Sequence, residues 1–322
     1  MPIDLQYLLW LQDLRTATGG IFDEFFNALS KVAVEIMPFL PFLVFWGLSR
    51  KWGYRFMLTH MLGELVNGII KLTVCAYRPW IRSDKIVPAG DSKTAATGYS
   101  FPSGHSQSAT ATYGTAAVAT WKKKRWVAVV CAVLILLTGF SRNFLGVHTP
   151  QDVIVGITEA AVIIVLVGLL MKWMDGNEKR ADIMTGVGLL AVIGTLLYVT
   201  LKSYPMDYVD GKLLVDPKSM MNDIFKACGA MAGLLAGSFV ERHFIRFRVP
   251  KGSPLLPLMV GIGLGILYSW KYYFAGATVV PLLGKHWGNL AARAMMTYFA
   301  VAVWPLVIRR FCGDGAEEAP VQ

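Results

Sequence analysis

The chain has 322 residues, of which 55% are hydrophobic and only 16% are charged. Soluble globular domains carry about 25% charged residues, so this composition excludes an ordinary soluble domain and indicates a helical membrane protein with several spans. The net charge of +10 does not indicate a nucleic-acid partner, because the cytoplasmic loops of membrane proteins are enriched in Lys and Arg.

The first 30 residues mix Leu, Trp and Phe with acidic side chains, which predicts an amphipathic helix at the membrane interface, broken near Gly19 and Gly20. Nine segments follow that are long enough to cross a bilayer as helices. The second is polar for a span, since it carries a histidine, a glutamate, an asparagine and a lysine. The predicted spans are residues 31–48, 55–76, 102–120, 126–141, 152–173, 183–201, 222–240, 255–274 and 289–308.

The sequence thus predicts an all-α fold, a polytopic transmembrane helical bundle of about nine spans. With the N-terminus placed outside, the inward connections hold more Lys and Arg than the outward ones, above all in the run from Lys122 to Arg125. The C-terminus is then inside. The predicted parts are an interfacial segment at 1–30, a core of six spans at 31–201, an extension of three spans at 202–308 and a cytoplasmic tail at 309–322.

The first stretch with chemical character is KLTVCAYRP, near the outer end of the second predicted span. Lys71 and Arg78 are seven residues apart, which is about two helical turns, so a continuous helix would place both cations on one face. They are candidates for binding an anion. The alternative is a helix end whose cations extend to the membrane interface.

The second stretch, YSFPSGHSQSAT, begins the third predicted span. Pro102 suits the first helical position, and Ser103, Gly104 and His105 would then occupy the first turn. Free backbone N–H groups and the helix dipole make that turn a candidate anion site. The small residues that follow are better explained by close packing against a neighbouring helix.

The third stretch, SRNFLGVHTPQD, precedes the fifth predicted span. Thr149 and Pro150 have the form of a capped helix start, so Asp152 is explained as a capping acid. Asp152 is also four residues from His148, close enough to orient its ring for nucleophilic attack. Arg142 adds a fork of donors suited to phosphate oxygens.

Together the stretches place two histidines, three cations and one carboxylate on one predicted face of the membrane. Phosphoryl transfer needs such a set of cations, a nucleophile and an acid. The chain resembles the type 2 phosphatidic acid phosphatase (PAP2) superfamily, whose three signatures are matched in order and spacing by Lys71-x6-Arg78-Pro79, Pro102-Ser103-Gly104-His105 and Ser141-Arg142-x5-His148-x3-Asp152.

The resemblance implies a role for each matched residue. His148 is then the nucleophile that forms a phosphohistidine, Asp152 orients it, and His105 protonates the leaving group. The phosphoryl oxygens are bound by Lys71, Arg78, Ser103, the backbone of Gly104 and Arg142. Members of the superfamily typically work without a metal ion, so no metal and no cofactor are expected.

The sequence therefore predicts an integral-membrane phosphatase acting at the extracytoplasmic face, whether that is the periplasm, the cell exterior or an organelle lumen. The expected substrate is a phospholipid, polyprenyl or sphingoid phosphate. A phosphotransferase and a sugar-phosphate phosphatase similar to glucose-6-phosphatase stay open as alternatives. Membrane embedding argues against a vanadate-dependent haloperoxidase, and a non-catalytic lipid binder leaves the three intact motifs unexplained. The sequence does not indicate the oligomeric state.

Overall fold

A computed structural model describes residues 1–96, 98–209 and 211–316. The described chain is mostly helical and divides into two compact units. Unit 1 comprises Met1–Pro38, Gly63–Val165 and Leu201–Met221, and unit 2 comprises Phe39–Leu62, Leu166–Thr200 and the chain from Asn222 onward.

The α-helices are numbered in chain order. They are α1 (Ile3–Ala17), α2 (Asp23–Glu35), α3 (Leu40–Gly47), α4 (Arg50–Val74), α5 (Pro79–Arg82), α6 (Ser92–Ala95), α7 (Gly104–Ala109), α8 (Thr115–Thr120), α9 (Arg125–Phe144), α10 (Pro150–Met174), α11 (Glu178–Leu201), α12 (Pro217–Val240), α13 (Leu256–Ser269), α14 (Ala275–Leu283), α15 (Lys285–Tyr298) and α16 (Trp304–Cys312). Short turns of 3-10 or π-helix occur at Met37–Phe39, Thr110–Gly114, Glu241–Ile245, Trp270–Phe274 and Phe299–Val303. Strands β1 (Tyr208–Val209) and β2 (Lys212–Leu213) form an antiparallel hairpin.

Within the described residues, six helical segments are long and apolar enough to cross a membrane. They are Asp23–Gly47, Arg125–Phe144, Pro150–Met174, Glu178–Leu201, Pro217–Ile245 and Lys285–Cys312. These six correspond to six of the nine predicted spans and agree with a multi-pass membrane protein. The predicted segments 55–76, 102–120 and 255–274 are also largely helical, but the count of nine spans stays a prediction.

The N-terminal part of unit 1 has the predicted break. Helix α1 ends at Ala17 and α2 begins at Asp23, and Gly19 and Gly20 between them both have positive φ, which glycine adopts without steric cost. The apolar face of α1 is buried against two residues from later in the chain; the cluster contains Leu5, Leu8, Leu11, Ile86 and Phe144. The opposite side leaves Trp10 exposed. A position at the membrane interface stays a prediction for this helix.

Close backbone approaches in unit 1 bring α4, α7 and α10 together. A Cβ at Gly156 of α10 would lie 2.6 Å from the carbonyl oxygen of Ser103, and a Cβ at Gly63 of α4 would lie 2.0 Å from the Gln107 side chain. Only glycine fits at Gly156, where the neighbour is backbone, while Gly63 leaves room for the Gln107 side chain. Small residues are the usual means of close helix approach in membranes. The start of α7 is therefore held directly against α10.

Unit 2 has its own aromatic and polar contacts. The indole of Trp46 donates to the carbonyl oxygen of Ala300 at 2.8 Å, and a Cβ at Gly233 would lie 2.2 Å from the carbonyl oxygen of Ala294. A polar cluster forms where Arg242 and His243 both contact the carboxylate of Asp182 at 3.0 Å. None of the residues predicted for phosphate chemistry belongs to this unit.

Candidate active site

The structure brings the residues predicted for the site together within unit 1, on the ends of α4, α7, α9 and α10 and on the segments between them. The centre is His148, in the loop 145–149, whose side chain is 2% exposed. Its ring Nδ1 lies 3.3 Å from Oδ2 of Asp152. Backbone bonds from Val147 N and His148 N to the carbonyl oxygen of Arg142 close this loop, so the ring is held on a short rigid turn.

Asp152 makes the contacts that both interpretations of it predict. Its carboxylate accepts the backbone N–H of Thr149 at 2.9 Å, and the Thr149 hydroxyl faces the N–H of Asp152 at 3.5 Å. This is the reciprocal arrangement of a capping box at the start of α10. The same oxygen, Oδ2, faces His148. Capping therefore fixes the carboxylate that orients the imidazole.

The other ring nitrogen of His148 faces a cation. Arg78 Nη1 lies 2.9 Å from His148 Nε2 and also donates to the carbonyl oxygen of Val147 at 3.0 Å. A guanidinium only donates hydrogen bonds, so Nε2 carries the lone pair and Nδ1 carries the proton toward Asp152. This assignment of the tautomer follows from the partners of the ring. It leaves the lone pair of the ring on Nε2.

The surroundings of His148 and Arg78 favour a neutral imidazole on His148. Burial lowers the pKa of His148 well below its ordinary value, and the positive charges of Arg78, Lys71 and Arg142 act in the same direction. Burial also lowers the pKa of Arg78 to about 10, which the Asp152 carboxylate partly opposes. At neutral pH the histidine is thus uncharged while the arginine beside it stays charged.

Arg78 reaches the site by a different route from the one that helical spacing predicts. Helix α4 ends at Val74, Cys75 has a left-handed backbone with φ of 55°, and Arg78 is extended just before α5. The prediction that Lys71 and Arg78 share one helical face is therefore wrong. The left-handed backbone of Cys75 ends the helix, and Pro79 keeps Arg78 extended, because a proline disfavours the helical conformation of the residue that precedes it.

Lys71 remains on α4 and donates to several backbone carbonyls of residues 99–102, the segment before α7. Its Nζ donates to the carbonyl oxygens of Pro102 at 2.6 Å, Ser100 at 3.3 Å and Tyr99 at 3.4 Å. The ammonium is buried and held by neutral carbonyls. It consequently fixes the backbone leading to Ser103.

The helix that carries His105 begins two residues later than predicted. Pro102 precedes it, Ser103 is the N-cap and Gly104 is the first helical residue. The reason is the Ser103 hydroxyl, which accepts the N–H and the hydroxyl of Ser106 at 3.3 and 2.9 Å. Ser103 N donates to the carbonyl oxygen of Asp152 at 2.8 Å. The half-buried His105 follows in the first turn, where the charges of nearby cations act on its ring.

Arg142, in the last turn of α9, supplies donors that the surrounding structure leaves unused. Its Nη1 donates to the hydroxyl of Ser30 on α2. Its Nε and Nη2 are buried and have no hydrogen-bond partner among the described residues. Buried donors of this kind are costly unless a ligand or water satisfies them. A phosphoryl group offers the oxygen acceptors that match this fork.

Two serines in the site have no assigned role in the sequence motifs. Ser30 anchors Arg142. Ser100 donates to Oδ2 of Asp152 at 2.6 Å and its hydroxyl lies 3.4 Å from His148 Nδ1, while its backbone N–H donates to the carbonyl oxygen of Ala76. No spacing rule identifies Ser30. Ser100 lies in YSFPSGH, and its polarity beside a membrane helix is the one signal that points to it.

Removal of the Ser100 hydroxyl is expected to loosen the dyad of His148 and Asp152. In Ser100→Ala the carboxylate keeps its bonds to Thr149 and His148, so we expect kcat to fall about tenfold, the cost of one hydrogen bond to a charged group, with little change in KM. The measurement is steady-state kinetics of phosphate release. The control is Ser108→Ala on α7, a second buried serine, whose hydroxyl donates to the carbonyl oxygen of Ala33. Unchanged kcat in Ser100→Ala contradicts a positioning role.

Within the described part of the chain, no group of three or more His, Cys, Asp or Glu side chains has the arrangement of a metal site. The cluster instead combines a neutral, oriented imidazole with buried cations and a second histidine. This donor set can bind a phosphoryl group, attack its phosphorus and move a proton. The arrangement is that of a phosphoryl-transfer site on a helical membrane scaffold.

Comparison with known proteins agrees with this class. The model of the family described as the PAP2 superfamily matches residues 52–178, a range that contains every residue of the site from Lys71 to Asp152. Phosphatidylglycerophosphatase B of Bacillus subtilis is 30% identical over 148 residues, 44% of this chain and 70% of that protein. The chain therefore belongs to the PAP2 superfamily and is a phosphoric ester hydrolase of that type.

Other relatives extend the similarity beyond the family match. Sphingosine-1-phosphate phosphatase 2 of Mus musculus is 26% identical over 292 residues, 86% of this chain and 75% of that protein. Lipid phosphate phosphatase delta of Arabidopsis thaliana is 26% identical over 204 residues, 60% of this chain and 47% of that protein. No solved structure matches the chain significantly.

Proposed function

We propose that this protein is an integral-membrane phosphatase that hydrolyses a lipid phosphate or diphosphate through a phosphohistidine on His148. The observation that carries the proposal is the His148 ring, oriented by Asp152 on one nitrogen and facing a cation on the other. The relatives named above support a lipid substrate, since their names specify sphingosine 1-phosphate, phosphatidylglycerophosphate and lipid phosphate.

The proposed reaction has two steps. His148 Nε2 attacks phosphorus, the bond from phosphorus to the leaving oxygen breaks, and His105 donates a proton to that oxygen. A water molecule then attacks the phosphohistidine, gives its proton to His105, and releases inorganic phosphate from the regenerated imidazole. Each transfer restores the starting state of both histidines.

The cations bind the phosphoryl oxygens in this scheme. Arg142 offers its two free donors to the phosphoryl oxygens, and Lys71 supplies a nearby positive charge. Arg78 turns from Nε2 to a phosphoryl oxygen as substrate enters, which frees the lone pair for attack. Ser103 and the backbone N–H of Gly104 complete the oxyanion contacts at the start of α7.

We also propose the orientation in the membrane. The excess of Lys and Arg in the predicted inward loops supports an N-terminus outside and a C-terminus in the cytoplasm, with about nine spans. The site then opens at the extracytoplasmic face, near the headgroups, where an amphiphilic substrate arrives by lateral diffusion. In this arrangement residues 31–201 form the phosphatase core and 202–308 form an extension of three spans.

The proposal is tested by a substrate panel on the purified protein in detergent. The panel contains phosphatidate, phosphatidylglycerophosphate, sphingosine 1-phosphate, a polyprenyl diphosphate and glucose 6-phosphate, assayed for phosphate release in EDTA. We expect release from at least one lipid substrate, and inhibition by vanadate, which resembles the transferring phosphoryl group. Release from glucose 6-phosphate alone contradicts the lipid assignment. Transfer to an added alcohol without release of free phosphate identifies a phosphotransferase instead.

A further inference from the structure

A polar layer lies directly beneath the phosphate site and takes no part in the mechanism above. It consists of Asn67 on α4, Gln107 on α7 and Glu159 on α10. Glu159 lies two helical turns beyond Asp152, inside the most apolar of the candidate spans. Ionisable side chains at membrane depth are costly and usually functional, so this carboxylate requires an explanation.

The contacts of Glu159 are only half complete. Its Oε2 accepts the side-chain N–H of Asn67 at 3.0 Å, while its Oε1 is buried and has no hydrogen-bond partner among the described residues. A single buried acceptor of this kind is expensive to leave unsatisfied. The site thus has one vacant carboxylate oxygen that suits a strong hydrogen-bond donor.

Gln107 provides a second, independent indication. Its side chain is 1% exposed, and its Nε2 is likewise without a partner in the described structure. This amide lies against Gly63, whose missing side chain makes room for it, and Gly63 is one turn from Asn67 on α4. Gln107 therefore contacts α4 at Gly63, and Glu159 contacts it one turn later at Asn67, on the same face of the helix.

The layer is continuous with the phosphate site above it. Asn67 Oδ1 lies 3.6 Å from the position of a Cβ on Gly104, the first residue of α7, and Asn67 is one turn from Lys71 on α4. The polar layer is therefore next to Lys71 and Gly104, two residues to which the proposed function assigns phosphate binding.

We propose that Asn67, Gln107 and Glu159 form a headgroup subsite for an ammonium and a hydroxyl on the carbons next to the phosphate ester. This inference rests on the proposed function and assigns the substrate class as sphingoid base phosphates. An ammonium donates to Glu159 Oε1, and a neighbouring hydroxyl accepts from Gln107 Nε2. Diacylglycerol phosphates present only ester oxygens at these carbons and cannot pair with a carboxylate.

The test compares Glu159→Gln with the wild type on two lipids in the same mixed micelles. We expect kcat/KM for sphingosine 1-phosphate to fall at least about tenfold, chiefly through KM, while kcat/KM for phosphatidate changes less than about threefold. Retained phosphatidate hydrolysis shows that the variant is folded. The control is Glu64→Gln, which removes an exposed carboxylate one turn from Asn67 on α4.

Equal losses on both lipids, or no loss on either, overturn the subsite.

A second measurement uses only the wild type, so that it does not depend on the folding of a variant. We expect sphingosine 1-phosphate to exceed its N-acetyl derivative about tenfold in kcat/KM, because acetylation removes the ammonium. Equal values overturn the inference while hydrolysis of either lipid preserves the proposed function. Failure to hydrolyse any lipid phosphate overturns the proposed function itself.

Discussion

Replacing His148 with alanine is expected to abolish phosphate release, with a loss of about 10⁴-fold or more in kcat, as for removal of a nucleophile in a catalytic triad. The reason is that Nε2 carries the lone pair of a neutral ring, and Asp152 holds that ring through Nδ1 on the opposite side. The charged donors Arg78, Arg142 and Lys71 cannot attack phosphorus, and Asp152 is turned toward Nδ1.

A matched variant separates chemistry from packing at this buried position. In His148→Asn the side-chain amide keeps a donor near Asp152, in place of Nδ1, but has no atom at the position of Nε2. We expect the asparagine variant to be as inactive as the alanine variant while unfolding within a few degrees of the wild type. The control is His286→Ala, a partly exposed histidine in unit 2, which should keep full activity.

Trapping the covalent phosphohistidine tests the nucleophile assignment directly. Brief incubation with a substrate labelled in its phosphoryl group, followed by an alkaline quench, should leave label on the wild-type protein in an acid-labile form. No label is expected on either His148 variant. Label that persists in His148→Asn, or phosphate release within tenfold of the wild type, contradicts the nucleophile assignment.

The sequence is sufficient to predict the membrane class and the family, because both are carried by local signals. Apolar runs of span length identify helices regardless of how they pack. Thr149-Pro150 identifies the start of α10, and the structure has it there with the expected capping contacts. The cluster around His148 and Asp152 follows from a spacing of four residues at that cap.

The sequence did not predict how the segments reach each other, since that depends on contacts between distant residues. Arg78 shows this most clearly: its spacing of seven from Lys71 predicts one helical face, yet the chain leaves α4 at Cys75. Ser30 holds Arg142 from 112 positions away, and no local pattern indicates such a pairing. The polar layer at Glu159 likewise depends on close approach at Gly63 and Gly156.

The role of His105 should appear as a dependence on the leaving group. In His105→Ala we expect the hydrolysis of an aliphatic lipid phosphate to fall about 10³-fold, within the range for loss of a general acid. An alkoxide is a poor leaving group and needs a proton as the ester bond breaks. A nitrophenolate is stable without one, so the first step with 4-nitrophenyl phosphate should slow less than about tenfold.

The second step distinguishes this role from a general loss of structure. In the proposed mechanism His105 also accepts the proton of the water that attacks the phosphohistidine. His105→Ala should therefore release nitrophenolate in a rapid burst of one equivalent and then turn over slowly. The measurement is stopped-flow absorbance with enzyme near the substrate concentration. His148→Ala should give no burst at all.

Equal losses for the alkyl and aryl substrates, with no burst, would show that His105 binds or positions the phosphate rather than transferring a proton. A burst in the His105 variant assigns the two histidines to different bonds of one reaction, His148 to phosphorus and His105 to the leaving oxygen.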